Sequence, residues 1–176
     1  MSAPGSAAAS PRVVLVGTMG AGKTTVGRRL ARAWGVGFRD TDQDVEKAQG
    51  RPVSEIFVDD GEEHFRDLER EAVRAALETH DGVLALGGGA VLDESTREAL
   101  AGHRVVFLRV GLADAAQRVG LGVSRPLLMG NVRGQMKKLI DERAQVYEAV
   151  ATHVVDTDGV PLDEVVRRVL EAVPGE

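Results

Sequence analysis

A lysine and a threonine close a glycine-rich run at residues 17–24, which reads Gly-Thr-Met-Gly-Ala-Gly-Lys-Thr. Glycine has no side chain, so successive backbone N–H groups can converge on phosphate oxygens, and a helix that begins there adds partial positive charge. Lys23 would neutralise the terminal phosphates, and the Thr24 hydroxyl would ligate Mg²⁺. The alternative is a glycine-rich turn with an exposed lysine. The run stands between a predicted strand and a predicted helix, however, and therefore indicates a nucleoside triphosphate site.

Two aspartates, Asp40 and Asp42, stand two residues apart at the predicted carboxyl end of another strand. In an extended backbone, residues i and i+2 point to the same side, so we expect both carboxylates to face one region. One could hold Mg²⁺ while the other accepts a proton from a hydroxyl nucleophile. The spacing is equally consistent with an alternative in which Asp42 or Asp44 only caps a helix.

Three arginines and a glycine triplet complete the set of candidate residues. Arg66 has glutamates four residues before it and three after it, so an exposed ion pair on a helix is the simpler interpretation. Arg125, in a loop rich in glycine and arginine, either brings a guanidinium to the transferring phosphoryl group or is a solvated loop residue. Arg143 stands in a long helical segment and alone indicates nothing. Gly87–Gly89 either lets a substrate approach the backbone or simply turns the chain.

Strands and helices that alternate along the chain must position these residues. Short, nearly continuous apolar runs predict the strands, and apolar residues at helical spacing predict the helices. This alternation predicts a parallel sheet covered on both faces. The predicted strands span 13–16, 36–39, 83–86, 104–110 and 152–155, and the predicted helices span 25–34, 62–78, 94–101, 134–150 and 161–173.

The composition is that of an ordinary globular chain, and it excludes several classes of site. At 176 residues the chain fits one domain. Its 22 basic and 27 acidic side chains give a net charge of -5, which argues against nucleic acid as a partner. The absence of cysteine excludes thiolate nucleophiles, disulfides and cysteine-based metal sites. The apolar runs are far shorter than the roughly 20 residues of a membrane span, and the first residues lack a signal-peptide pattern, so we expect a cytoplasmic protein without a membrane partner.

A phosphate site alone leaves the destination of the phosphate open. The chain lacks the length for the accessory domains of a motor or a transporter ATPase. A GTPase-like switch would need an Asn-Lys-x-Asp motif, and the sequence contains none. A phosphotransferase that acts on a small molecule is therefore the leading class.

Six strings, in order along the chain, together resemble the shikimate kinase family. They are GTMGAGKTTVGRRLA from Gly17, DTD from Asp40, IFVDDGEEHFR ending at Arg66, LALGGGAV from Leu84, RPLL from Arg125 and ERAQVY containing Arg143. The resemblance covers nearly the whole chain, from Arg12 to about Pro161. Six strings in one order are far more specific than any one of them.

The resemblance implies transfer of the γ-phosphoryl group of ATP to the 3-hydroxyl of shikimate, a step of the chorismate pathway to aromatic amino acids. It implies that Asp42 contacts the ring hydroxyls and is the base, and that Asp40 assists the Mg²⁺ held by Thr24. Arginines would bind the substrate carboxylate, Gly88 would add a backbone contact, and phenylalanines would line the apolar side. The implied substrate-binding residues are Asp42, Phe57, Phe65, Arg66, Gly87, Gly88, Gly89 and Arg143.

On the nucleotide side, the resemblance implies that Lys23 and the lid residue Arg125 are catalytic and that Arg118 stacks on adenine. The family's late adenine loop often carries an arginine and a proline, whereas residues 156–161 here contain Pro161 and no arginine. Pro161 would cover the adenine face without that side-chain contact. The implied ATP-binding residues are Gly17, Gly20, Ala21, Gly22, Lys23, Thr24, Thr25, Arg118, Arg125 and Pro161.

The architecture implied by the resemblance is an α/β P-loop NTPase fold, a three-layer sandwich around a five-stranded parallel sheet in the order 2-3-1-4-5. One P-loop kinase domain at 12–176 would follow a flexible tail at 1–11, with a substrate-binding region near 41–69 and a lid near 119–132. We expect a monomer that binds ATP and shikimate.

Two alternatives to this function remain. A gluconate-type kinase would usually carry a histidine shortly after the aspartate pair, and none lies between Asp40 and His64. A catalytically inactive nucleotide-binding module would not need the full set of charged residues.

Overall fold

The structure, a computed structural model, describes residues 9–18, 20–111, 114 and 132–174. The chain alternates strands and helices there, as the apolar pattern predicts. The strands are β1 (Val13–Val16), β2 (Phe38–Asp40), β3 (Val83–Ala85), β4 (Val105–Arg109) and β5 (His153–Asp156). The helices are α1 (Lys23–Trp34), α2 (Thr41–Gln49), α3 (Val53–Asp60), α4 (Glu62–Thr79), α5 (Glu94–Leu100), α6 (Val132–Val150) and α7 (Leu162–Ala172), with a 3-10 turn at Ala90–Leu92.

The five strands form a sheet in the order β2-β3-β1-β4-β5, and every neighbouring pair is parallel. The central strand is β1, in which Leu15 lies opposite Ala85 of β3 and Val106 of β4. Parallel neighbours need long crossover connections, and the helices supply them. The predicted fold class and strand order are confirmed.

Helices cover both faces of the sheet, which explains why its three inner strands, β1, β3 and β4, are apolar without alternation. Val13 and Leu15 belong to one core layer, with α1 and α7, whereas Val14 and Val16 belong to the other, with α4, α5 and α6. All four side chains are fully buried. Burial of one such side chain stabilises the fold by roughly 1.5–3 kcal/mol, so β1 ties the two layers together.

The carboxyl ends of three neighbouring strands carry the segments that could do chemistry. β1 runs into the glycine-rich loop, β2 ends at Asp40, and Gly87–Gly89 follows β3 closely. Because β3 lies between β2 and β1 in the sheet, these segments meet at one edge. Open α/β sheets bind their ligands in a crevice at this edge.

The apolar pattern does not predict α2 and α3, two short helices between β2 and α4. The buried side chains of α2 are Thr41 and Val45, and that of α3 is Ile56. Neither helix has the wide apolar stripe that reveals a helix in a sequence. The signals lie at their ends, because the Asp40 side chain caps α2, Pro52 precedes α3, and a glycine follows each helix.

The other boundaries differ from the prediction by a few residues. Helix α1 begins at Lys23 rather than at residue 25, since Gly22 already serves as its N-cap. Helix α6 begins at Val132 rather than at residue 134. Among the described residues, no helix is both long enough and apolar enough to cross a membrane.

Candidate active site

The glycine-rich loop adopts backbone conformations that need glycine. Gly20 and Gly22 have φ angles of 85° and 91°, a region that a residue with a Cβ adopts only with strain. Helix α1 begins directly afterwards, and Gly22 has no side chain that could cap it. The N–H groups of the first turn and the helix dipole are therefore available to an anion.

Lys23 lies at the start of α1 and lines the cavity beside the loop. Its Nζ donates hydrogen bonds to the carbonyl oxygens of Gly17, at 2.7 Å, and Thr18, at 3.1 Å. Burial lowers the pKa of the ammonium group to about 8, against the opposing effect of the Asp42 and Asp40 carboxylates. The group is therefore cationic at neutral pH, and neutral carbonyls are partners that a phosphate would outcompete.

Asp40 and Asp42 do not share an extended segment, so the sequence prediction is wrong on this point. Strand β2 ends at Asp40 and α2 begins at Thr41, which places Asp42 in the first turn of the helix. The Asp40 carboxylate accepts a hydrogen bond from the backbone N of Asp42 at 2.8 Å, because a helix start leaves such N–H groups without a partner. The capping role belongs to Asp40 rather than to Asp42 or Asp44. Both Asp40 and Asp42 nevertheless line the same cavity as Lys23.

The surroundings of Asp42 disfavour its charge. Burial raises the pKa of its carboxyl group to about 6, with Asp40 and Glu69 acting in the same direction and Lys23 opposing them. A carboxylate with this pKa takes up a proton more readily than an ordinary aspartate does. Asp42 therefore has the properties of a general base that is active near neutral pH.

One cavity of about 610 Å³ joins these groups. Its walls come from the glycine-rich loop, the start of α1, the aspartate pair and the turn after β3. This size lies within the range of small-molecule sites, roughly 300–1,000 Å³. The lining residues are Gly20, Gly22, Lys23, Thr24, Thr25, Asp40, Asp42, Leu86, Gly87 and Gly88.

Arg66 reaches from α4 to the glycine turn, Gly87–Gly89, which follows β3. Its Nη1 donates a hydrogen bond to Oε1 of Glu69 at 2.7 Å, and its Nη2 lies 3.5 Å from Oε1 of Glu62. A Cβ on Gly89 would stand 2.5 Å from Nη2, so the close approach of the guanidinium depends on glycine. The ion pairs expected from the spacing exist, but with 23% of its side chain exposed Arg66 is not a solvated surface residue.

Two phenylalanines pack beside Arg66. The ring centroids of Phe57 and Phe65 are 4.7 Å apart, and the guanidinium carbon lies 5.9 Å and 5.4 Å from them. Aromatic faces attract a cation, and an apolar environment strengthens its charge interactions. The structure thus brings Phe57, Phe65 and Arg66 together next to the glycine turn.

Glu69, which its spacing from Arg66 predicts to be a partner in an exposed ion pair, is a buried carboxylate. Only 3% of it is exposed, and burial raises its pKa although the hydrogen bond and charge of Arg66 and the charge of Arg143 act against this. A Cβ on Gly87 would stand 2.5 Å from Oδ1 of Asp42 and 2.9 Å from Oε2 of Glu69, so both carboxylates approach the same glycine. The position of Glu69 three residues after Arg66, on the same helix face, was the available signal.

Tyr147 and Thr41, absent from the sequence prediction, hold the glycine turn from two elements. The Tyr147 hydroxyl donates a hydrogen bond to the carbonyl oxygen of Gly88. The Thr41 hydroxyl accepts one from the backbone N of Gly87 at 3.2 Å. Both residues are fully buried, so α2 and α6 fix the backbone that borders the cavity.

Arg143 comes to the site from α6. It stands one helical turn before Tyr147, and its positive charge acts on the pKa values of Tyr147, Glu69 and Lys23. Tyr147 contacts Gly88, so Arg143 lies one helical turn from a residue that holds the glycine turn. This pair of arginines is suited to a carboxylate ligand.

A second cavity, of about 220 Å³, also adjoins the glycine-rich loop, which is the candidate phosphate loop. Its walls are mostly apolar, which suits a planar nucleotide base. In the sequence, Pro161 lies between the lining residues Val160 and Leu162. Because Gly22 and Thr25 line both cavities, one ligand can extend from the phosphate loop into this space. The lining residues are Ala21, Gly22, Thr25, Val26, Thr157, Val160, Leu162 and Val165.

The loop between β5 and α7 is held in place without an arginine of its own. The backbone N of Thr157 donates a hydrogen bond to the carbonyl oxygen of Arg109 at 2.9 Å. The Asp158 carboxylate accepts one from the backbone N of Gly111, at 2.7 Å and 2.8 Å to its two oxygens. The end of β4 thus supports the wall of the second cavity.

Comparison with known proteins decides the family. A family model described as "Shikimate kinase" matches residues 19–174, most of the chain. The chain belongs to the shikimate kinase family. It is 56% identical over 164 residues to the shikimate kinase of Streptomyces coelicolor, an alignment that covers 93% of this chain and 96% of the relative.

A solved shikimate kinase has the same architecture. The enzyme from Acinetobacter baumannii, in complex with shikimate, is 33% identical, with a TM-score of 0.84 over 94% of this chain and 93% of that one. A gluconokinase from Sinorhizobium meliloti aligns over 94% of this chain and 91% of that one at 22% identity and a TM-score of 0.53. The latter likeness shows a shared fold alone, whereas the sequence identity places this chain among the shikimate kinases.

The donors at this shikimate kinase site fit Mg²⁺. Thr24 and Asp40 line the cavity, and the capping bond of α2 engages Oδ1 of Asp40. Mg²⁺ prefers hard oxygen ligands and is usually held by one or two protein groups together with water and substrate phosphates. In the described part of the chain, no group of three His, Cys, Asp or Glu side chains could hold a metal by itself, so the nucleotide would complete the ligand set.

The remaining predicted nucleotide contacts divide into two groups. Arg118 and Arg125 lie outside the described residues, as do residues 119–131 of the predicted lid. Gly17, Ala21, Thr25 and Pro161 lie around the loop and the two cavities described above.

Proposed function

We infer that this member of the shikimate kinase family transfers the γ-phosphoryl group of ATP to the 3-hydroxyl of shikimate, yielding shikimate 3-phosphate and ADP in the chorismate pathway. One observation supports this above all others. A single cavity borders the phosphate loop, the Asp42 carboxylate and the glycine turn that Arg66 contacts. A triphosphate and a small hydroxy acid would therefore meet in that cavity.

We propose that Lys23 stabilises the transferring group by charge. On nucleotide binding, its ammonium group would exchange the carbonyl oxygens of Gly17 and Thr18 for phosphate oxygens. Phosphoryl transfer depends mainly on positioning and on neutralisation of the charge of the transferring group. The resemblance to the family assigns Arg125 the role of a second cation.

We assign the role of general base to Asp42. Its carboxylate would accept the proton of the 3-hydroxyl as that oxygen forms its bond to phosphorus and the bond to the β-phosphate oxygen breaks. The pKa of about 6 supports this role, because the carboxyl group is largely ionised at neutral pH and still basic enough to take the proton. In-line placement of the hydroxyl is the other requirement.

Arg66 and Arg143 would bind the carboxylate of the substrate. A guanidinium presents two parallel N–H groups to a carboxylate, which fixes the orientation of the acid as well as its position. Gly88 would add a backbone contact, and Phe57 and Phe65 would pack against the apolar part of the ring. Together these contacts would direct one hydroxyl toward Asp42.

The nucleotide would occupy both cavities, with its phosphates on residues 17–24 and its base beside Pro161. Thr24 and Asp40 would hold Mg²⁺, which when bound neutralises part of the phosphate charge. The base would meet mostly apolar walls rather than an arginine from the β5–α7 loop.

The proposal extends to a monomer that acts in the cytoplasm. The exposed large apolar side chains of the described residues are Val58, Leu92, Leu139 and Val154, from four different elements. Such scattered residues are normal on a monomer surface. Light scattering during gel filtration should give the mass of one chain, and a mass of two chains would refute the monomer.

Acceptor specificity tests the proposed function. We expect the purified protein with Mg²⁺ and ATP to release ADP rapidly with shikimate, and to remain near background with gluconate, a nucleoside monophosphate or water. Faster turnover with gluconate would favour the sugar-acid kinase alternative. Nucleotide binding without turnover on any of these acceptors would favour the inactive module.

A further inference from the structure

Arg70 and Asp93 connect two elements that border the site, although neither residue lines the cavity described above. Nε and Nη2 of Arg70 both donate hydrogen bonds to Oδ1 of Asp93, at 3.0 Å and 2.8 Å. The Nη1 group donates to Asp67 on the same helix at 2.9 Å. The guanidinium of Arg70 thus joins α4 to the segment that follows the glycine turn.

The other oxygen of Asp93 is engaged as well. Its Oδ2 accepts hydrogen bonds from the backbone N of Thr96, at 2.9 Å, and from the hydroxyl groups of Thr96 and Ser95. Asp93 is therefore the N-cap of α5. The bond from Arg70 holds the pKa of the carboxyl group well below its usual range, so Asp93 is an anion fixed from two directions.

Arg70 and Arg66 contact the two ends of one turn. They are four residues apart and lie on the same face of α4. The guanidinium of Arg66 packs against Gly89, and that of Arg70 binds Asp93, directly after the 3-10 turn Ala90–Leu92. The distance between α4 and the glycine turn is therefore set next to the site by a charged, two-donor contact.

We propose that Arg70 is a positioning residue for the acceptor: its bond to Asp93 holds α4 against the glycine turn and so sets where Arg66 meets the substrate carboxylate. This inference rests on the proposed function. Loss of this contact should affect shikimate and not ATP, because the contact lies on the acceptor side of the site. It is not beside Lys23 or the second cavity, which is proposed for the nucleotide base. Small displacements of a binding group cost affinity or rate out of proportion to their size.

The test uses Arg70→Gln, Asp93→Asn and the double variant. Asparagine caps a helix about as well as aspartate, so Asp93→Asn keeps the cap of α5 and weakens the charged contact. We expect each single variant to raise the KM for shikimate about 3- to 10-fold, with KM for ATP and kcat within about twofold of wild type. The double variant should resemble the single ones, because all three break the same contact.

Arg167→Gln is the matched control. Arg167 also binds carboxylates on its own helix, Glu164 and Glu171 of α7, but it contacts no part of the acceptor site described above. We expect its KM for shikimate to stay at the wild-type value. Calorimetric titration of each variant with shikimate alone measures the same affinity without turnover.

The outcomes separate a positioning role from a structural one. A lower melting temperature with unchanged shikimate affinity would overturn the proposal, and so would an equal rise of KM for shikimate and for ATP. A wild-type protein that did not phosphorylate shikimate would instead refute the proposed function itself. A rise confined to shikimate, smaller in Arg70→Lys than in Arg70→Gln, would support the positioning role.

Discussion

The carboxyl group of Asp42 has a pKa of about 6 because it is buried near Asp40 and Glu69, and such a shift also affects stability. The folded-state pKa lies above the ordinary value of 3.8, so the folded protein binds this proton more tightly than the unfolded chain does. The contribution of this carboxyl group to stability therefore falls as the pH rises through about 4 to 6. The loss is fully present at neutral pH, where the proposed base must be ionised.

Asp42→Asn should remove activity and stabilise the free protein. We expect kcat to fall by roughly 10²–10⁴-fold, and the free energy of unfolding at pH 7.5 to rise by on the order of 1–2 kcal/mol. Thermal melts at pH 7.5 and pH 4 measure this, since the gain should shrink at the lower pH. Asp44 lies in the same first turn of α2 and pairs with Arg39. Asp44→Asn loses this ion pair and should give no gain in the free energy of unfolding. Near-wild-type turnover in Asp42→Asn would remove Asp42 as the base.

Glu69→Gln should shift the pH dependence of the reaction. In wild type, kcat/KM should fall below about pH 6 as Asp42 is protonated and above about pH 8 as Lys23 loses its proton. The negative charge of Glu69 raises the pKa of Asp42, so its removal should move the acid limb to lower pH. The alkaline limb serves as the internal control and should stay in place. An unmoved acid limb would show that Glu69 does not act on Asp42.

At the scale of elements, the apolar pattern predicts the long amphipathic helices well and does not predict the short capped helices. Arg66 and Phe65 lie on α4, whose apolar stripe predicts the helix and its start. Asp42 lies on α2, which buries little apolar surface and is specified by the side chain of Asp40. Apolar spacing does not reveal a helix that depends on one capping bond, so it does not predict the orientation of Asp42.

The sequence also does not predict contacts between elements. Glu69, Thr41 and Tyr147 converge on the glycine turn from three helices, and nothing in their local sequence reveals the other partners. Arg143 by itself indicates nothing, because the role proposed for it depends on how α6 packs against the glycine turn. The family resemblance supplies the expectation that Arg143 binds the acid, and this stays a prediction.

Gly89→Ala should impair acceptor binding with little effect on stability. The added Cβ would stand 2.5 Å from Nη2 and 2.6 Å from Nη1 of Arg66, and a flexible side chain can move away from it. We expect the KM for shikimate to rise about tenfold or more while the melting temperature changes little. Gly37→Ala is the control, because its Cβ would meet His80 at an ordinary 3.5 Å. Equal KM values in both variants would contradict the position assigned to Arg66.

At the scale of the whole molecule, the apolar strands predicted the sheet and its two covering layers. Val13–Val16 is apolar throughout because both of its faces are buried, and this pattern distinguishes a covered parallel sheet from a one-sided sheet. Periodicity does not reveal the order of the strands. The family resemblance supplied the order 2-3-1-4-5, and the structure confirms it.

Each ligand should stabilise the molecule independently through its own residues. A ligand at 100 times its Kd adds about 2.7 kcal/mol to stability, which is roughly 5–10 °C in melting temperature for a domain of this size. We expect wild type to show such a shift with ATP and with shikimate. Arg66→Ala should lose the shikimate shift and keep the ATP shift. A retained shikimate shift in this variant would show that Arg66 does not bind the acid.

A crystal structure with shikimate, Mg²⁺ and a non-hydrolysable ATP analogue tests the central claim most directly. The account predicts the shikimate carboxylate on Arg66 and Arg143, the 3-hydroxyl within hydrogen-bond distance of Asp42, and the terminal phosphate at Lys23. Shikimate bound elsewhere, with both guanidinium groups facing solvent, would contradict it.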